Sequence, residues 1–98
     1  MEIIVKHGNE LVVSLRGRLD TNTAPELEAR LNEEEINEAL VVLDFTDLEY
    51  ISSAGLRVLL SLKKKLASLK KELEIHNIND VVKEVFNVTG FINILTVK

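Results

Sequence analysis

Between Glu2 and Arg16, apolar and polar residues alternate with the period of a β-strand. Ile3 and Val5 fall on one side, and Glu2, Ile4 and Lys6 on the other. His7-Gly8-Asn9-Glu10 supplies a turn, after which Leu11, Val13 and Leu15 oppose Val12, Ser14 and Arg16. The pattern predicts a hairpin with one face buried and the other partly wet, its second strand ending near Gly17. Arg18-Leu19-Asp20-Thr21-Asn22-Thr23 then breaks the alternation. Thr23 and Glu26 have the spacing of a capping box, and Pro25 suits a first helical turn, so a helix is predicted from about Ala24. Its apolar stripe is Ala24, Leu27 and Leu31, too narrow for a helix buried all round. Glu33-Glu34-Glu35 is assigned to solvated surface at its end.

The next segment, Leu40-Val41-Val42-Leu43, is apolar without interruption, the pattern of a strand buried on both faces. It runs into Asp44-Phe45-Thr46-Asp47 and then Tyr50-Ile51-Ser52-Ser53-Ala54-Gly55-Leu56. From there Leu56, Leu59, Leu62, Leu66 and Leu69 recur at helical steps, with Lys63, Lys64, Lys70 and Lys71 on the remaining arc. A strand, a loop from Thr46 to Ser53 and a helix ending near Lys71 are expected. Leu73 to Ile78 resumes strand-like alternation. Asn79 or Asp80 can cap a third helix bearing Val81, Val82, Val85 and Phe86, and Gly90 stops it. Phe91 to Val97 reads as a short turn leading into a closing strand.

The order β-β-α-β-α-β-α, with that closing strand, is α/β: one mixed sheet, a parallel core plus an N-terminal hairpin, with about three helices packed on it. The whole chain, 1–98, is expected to form one domain. Parallel strands that each feed a helix gather their strand-to-helix loops along one edge. Asp20 to Thr23, Thr46 to Ser53 and Asn77 to Asp80 are therefore expected to be neighbours, and the functional chemistry is expected among them.

Composition narrows the chemistry. Apolar residues make up 46% and charged residues 29% of the chain, which fits a folded domain and not a disordered tail. The net charge of −4 selects no polyanionic partner, and with no cysteine there is neither a disulfide framework nor a thiol nucleophile. No apolar run nears the roughly 20 residues that span a bilayer, and Met1 to Lys6 lacks the layout of a signal peptide, so a cytoplasmic location without membrane contact is expected. No nucleophile elbow, phosphate-binding glycine loop or histidine pair at metal spacing occurs. No enzyme activity, metal or cofactor is therefore expected. His7 and His76 read as strand surface residues, and Asp20, Asp44 and Asp47 as turn-capping aspartates. Lys63 to Lys65, with no aromatic residues among them, reads as a solvated helix face and not as a nucleic-acid patch.

Ser52 and Ser53 remain. A helix N-terminus offers unpaired N–H groups and the positive end of the helix dipole, so a serine there can act as a cap or carry a phosphate. The stretch Asp44-Phe45-Thr46-Asp47-Leu48-Glu49-Tyr50-Ile51-Ser52-Ser53-Ala54-Gly55-Leu56, preceded by Val41-Val42-Leu43, resembles the signature of the STAS domain of bacterial anti-sigma factor antagonists. Gly17-x-Leu19-Asp20 and Val82-x-x-Val85-Phe86-x-x-x-Gly90-Phe91 extend the resemblance over nearly the whole chain.

The resemblance implies that Ser53 is phosphorylated, with Ser52 as the alternative acceptor because it stands where many members carry Asp. It implies an anti-sigma factor with serine kinase activity as partner, bound only by the dephosphorylated form so that a sigma factor is released. A PP2C-type phosphatase reverses the modification. The implied contact set is Asp20, Thr21, Asp47, Ser52, Ser53, Ala54, Gly55, Leu56 and Arg57, on a monomer or weak dimer. The alternative is a STAS interaction module that meets no kinase, a scaffold in a signalling or lipid-transport complex in which Ser53 is only a cap.

Overall fold

The hairpin pattern becomes β1 (Glu2–Lys6) and β2 (Leu11–Leu19), paired antiparallel with Ile3 opposite Leu15 and Val5 opposite Val13. The rest of the computed structural model, which describes residues 1–98, follows as α1 (Ala24–Glu33), β3 (Leu40–Ile51), α2 (Ser53–Ser68), β4 (Glu72–His76) and α3 (Asp80–Thr89). A 3-10 turn, Phe91–Asn93, then leads to the short β5 (Thr96–Val97). The five strands lie in chain order, β1-β2-β3-β4-β5, and every pair after the hairpin is parallel.

Each parallel crossover moves one strand further in the same direction. Right-handed connections of this kind place α1, α2 and α3 on a single face of the sheet. Burial agrees with that arrangement. Leu11, Val13 and Leu15 of β2, Val41, Leu43 and Phe45 of β3, and Leu73 and Ile75 of β4 are buried. They join Leu27, Leu59, Leu66, Val82 and Phe86 from the helices in one apolar cluster. Opposite lie the half-buried Ser14, Asp44 and His76, which the strand register sets side by side.

Four expectations about boundaries and caps need correction. The capping box at α1 does not form. Thr23 is helical in its own backbone, and its hydroxyl accepts from Asp20 N at 2.9 Å and donates to Arg18 O at 2.7 Å, so it serves the preceding turn. β2 does not stop at Gly17: the left-handed φ of +104° there takes up a register shift, a conformation for which glycine is suited, and the strand continues to Leu19. β3 does not give way to a loop at Thr46 but runs to Ile51, so the expected loop from Thr46 to Ser53 shrinks to Ser52 alone. At the other end of α2, the helix stops at Ser68 and leaves Leu69 exposed, outside the stripe to which it was assigned. The cap of α3 is Asn79, whose side chain accepts from Val82 N at 2.8 Å, and Gly90 ends that helix at φ +81°.

Candidate functional site

The extension of β2 and β3 defines the geometry around the serines. Their last residues, Leu19 and Ile51, are register partners, and Ser52 N donates to Leu19 O at 2.9 Å, so the chain turns into α2 directly off the end of the sheet. Ser52 has extended backbone, and its Oγ accepts from Gly55 N at 3.5 Å: it is the N-cap. Ser53 is the first residue of the helix, and it is exposed, whereas Ser52 is half-buried. Only one of the two hydroxyls is therefore presented to solvent free of a capping role.

Gly55 fixes how closely this turn approaches the sheet. A Cβ at that position would lie 2.7 Å from Leu19 Cγ and 2.8 Å from Ile51 Cγ1, closer than side chains come together. A residue without a side chain lets the first turn of α2 rest on both strand ends. Leu56, 3% exposed, locks the same turn into the core. These two members of the implied contact set hold Ser53 in place from below and are not themselves surface.

Asp20 immediately follows the Leu19 carbonyl that binds Ser52, which brings the β2–α1 turn against the start of α2. Its carboxylate accepts from Asn22 N at 3.0 Å and Thr23 N at 3.2 Å, and lies 3.8 Å from Arg18 Nε. Partial burial pushes the Asp20 carboxyl up. The two amides, the Thr23 hydroxyl and the Arg18 charge outweigh it and hold the group below its ordinary value. The result is a fixed anion in the turn that follows Leu19, whose carbonyl binds Ser52. Thr21, Ala54 and Arg57 line one furrow between α1 and α2, together with Pro25, Glu28 and Val58.

Asp47 is not part of this constellation. It sits within β3 opposite Arg16, exposed, with roughly 16 Å of strand between it and Ser52. It was expected in a loop that does not exist. Asn79 meets β3 further back from the serines: its Nδ2 donates to Leu48 O at 3.0 Å, tying the start of α3 to the free edge of β3.

Two other features escaped the sequence reading. The Arg18 guanidinium stacks 4.5 Å over the Tyr50 ring, on register partners just before the serines, a pairing visible only once both strands are known to extend that far. At the opposite end of the sheet, His7 is no isolated surface residue. Its ring bonds Glu34 through Nε2 and Glu38 through Nδ1, the latter at 2.9 Å. The Glu34 bond, then the Glu38 bond, raises the His7 pKa above its usual value. Glu34 therefore does not belong to a purely solvated acidic run.

Comparison with known proteins places this geometry. The STAS domain family matches residues 2–98. The chain belongs to the STAS domain family. BtrV of Bordetella bronchiseptica, a proposed anti-sigma factor antagonist, is 41% identical over 88 residues, covering 89% of this chain and 76% of the relative. The anti-sigma-B factor antagonist of Listeria monocytogenes is 27% identical over 99 residues, 100% of this chain and 87% of its own length. Among solved structures, the anti-sigma factor antagonist SpoIIAA in its unphosphorylated form has a TM-score of 0.83 at 17% identity, covering 99% of this chain and 88% of that one. The phosphorylated form of SpoIIAA, from Bacillus, gives 0.70 at 15% identity, with 99% and 91% covered. At these identities the structures establish the STAS fold. No helix of the chain is long and apolar enough to cross a membrane.

Proposed function

We propose that this STAS domain is a cytoplasmic anti-sigma factor antagonist, a binding protein and not an enzyme, switched by phosphorylation of Ser53. Unmodified, it docks on an anti-sigma factor that is also a serine kinase, and the sigma factor is released. The kinase then transfers the γ-phosphoryl group of ATP to Ser53 Oγ, the hydroxyl proton is lost and ADP leaves. A PP2C-type phosphatase hydrolyses the ester and restores the docking form. The observation that carries this reading is the division of labour at the start of α2: Ser52 is committed as the cap, and Ser53 stands exposed. The relatives named as anti-sigma factor antagonists support it.

The chemistry of the position favours a switch over a lesion. A phosphate brings about −1.5 to −2 charges at neutral pH. At the first residue of α2 it faces the positive end of the helix dipole, so the fold tolerates it. At an interface the same charge, next to the ionised Asp20, has to be desolvated or repelled. A tenfold loss of affinity needs only about 1.4 kcal/mol, less than burying an unmatched dianion costs. Incubation with the cognate kinase and ATP followed by intact mass tests the assignment. One added phosphate is expected on the native chain and on Ser52→Ala, and none on Ser53→Ala. No added phosphate on the native chain, or phosphate retained by Ser53→Ala, contradicts it.

A further inference from the structure

Arg57 is a member of the site whose charge the fold leaves uncommitted. None of the molecule's ion pairs involves it. Its own helix carries Arg57, Lys63, Lys64 and Lys65 and no carboxylate, so nothing on α2 competes for it. Across the furrow, Glu28 of α1 lines the same depression without reaching it. Asp20, the acid of the β2–α1 turn, is already held by two backbone amides and by Arg18.

Ser53 and Arg57 are four residues apart within α2, both exposed. On a helix that spacing puts the two side chains about 40° apart around the axis and about 6 Å apart along it, within reach of each other. The order is the favourable one as well, with the acceptor of negative charge N-terminal to the cation. The guanidinium is planar and suited to grip two phosphate oxygens at once.

We propose that Arg57 is the internal counter-ion of phosphorylated Ser53, leaving the lip of the α1–α2 furrow to ligate the phosphate. This rests on Ser53 being the phosphoacceptor. Modification then changes the docking face twice: an anion is added, and the furrow loses the cation that an acidic partner surface would meet. The phosphate is also held against α2, where the helix dipole already favours it.

The test uses full-length protein with phosphoserine installed at position 53 by genetic encoding, so that it does not depend on any kinase. Phosphorus NMR follows the second ionisation of the phosphate, and proton–nitrogen spectra follow Arg57 Nε. Phosphorylation is expected to shift the Arg57 Nε–H signal downfield, and that signal is expected to titrate together with the phosphate. In Arg57→Gln the second phosphate pKa is expected to rise by about 0.3. Lys64→Gln, one helical stretch further on, leaves it in place. An unmoved Arg57 signal, or the same phosphate pKa in the native and Arg57→Gln proteins, overturns the counter-ion role. Absence of phosphate after kinase treatment overturns the acceptor assignment instead, so the two failures are told apart.

Discussion

Ser52 and Ser53 are identical in chemistry and adjacent in the chain, and the backbone separates their roles. Ser52 keeps extended dihedrals and spends its oxygen on Gly55 N, whereas Ser53 belongs to the helix and is exposed. Because the cap bond is long, Ser52→Ala is expected to lower stability by only about 0.5–1 kcal/mol in denaturant unfolding. The period of the leucines made the helix start legible, but which serine caps it depends on a single ψ angle that no pattern encodes. Gly55 is a sharper case. Alanine there gains up to about 1 kcal/mol in helix propensity and overpacks Leu19 and Ile51 at about 1–3 kcal/mol, so overpacking wins. Gly55→Ala is expected to unfold at lower denaturant concentration than the native chain, and an unchanged or higher midpoint would contradict the close approach.

Among the elements, β3 departed furthest from its expected form. The stretch Leu40 to Leu43 announced a buried strand, but Asp44 and Asp47 are poor strand residues and signalled a loop. The structure resolves the conflict with side-chain bonds. Asp44 Oδ1 accepts from Thr46 N at 3.0 Å and from Asn77 Nδ2 at 3.1 Å, which stitches an irregular step into the strand while Phe45, Leu48 and Ile51 remain buried. Beyond Asp44, β4 no longer pairs with β3, and Asn79 takes over at Leu48 O. Asn79→Ala removes both that bond and the cap of α3. It is expected to cost about 1–2 kcal/mol and to speed amide exchange in α3 more than in α2.

The clip formed by the β1–β2 turn, the end of α1 and the segment before β3 was equally hidden, since His7 is far in sequence from Glu34 and Glu38 and meets them only in the fold. Its pH dependence follows from the directions of the shifts. With the folded His7 value above the usual 6.5, its contribution is complete below 6.5 and lost as pH rises through the folded value. The hydrogen bond from His7 lowers Glu34. Burial pushes Glu38 up, but backbone amides and His7 together hold it below the usual 4.5 as well. The carboxylate contribution is present above 4.5 and lost as pH falls through the lowered values. His7→Gln is therefore expected to lower the melting temperature most at about pH 5–6, with the difference shrinking as pH rises through the raised folded value of His7. A pH-independent difference would contradict the clip.

At the scale of the whole molecule, the STAS fold concentrates its chemistry where β2 and β3 end. Periodicity carried the element order, the parallel sheet and the core. The neighbourhood of Asp20, Thr21 and the serines followed from parallel topology alone. Asp47 was lost from that neighbourhood because an added stretch of strand moved the loop away from it, and Arg18 on Tyr50 was missed for the same reason. In the proposed switch, the packed base under Ser53, made of Gly55, Leu56 and the strand ends, would let a charge change act on docking and leave the core alone. Ser53→Asp is accordingly expected to keep the native melting temperature and lose the partner, whereas Ser53→Ala binds at all times.

The most direct test compares the unmodified and Ser53-phosphorylated proteins by calorimetric titration against the anti-sigma kinase, each with its melting temperature recorded in the same buffer. A melting temperature no lower than that of the unmodified protein, with at least a tenfold weaker affinity for the phosphorylated form, is predicted, an affinity difference of about 1.4 kcal/mol or more. Equal affinities, or a weaker affinity accompanied by a lowered melting temperature, would contradict a switch that works through surface charge on an undisturbed fold.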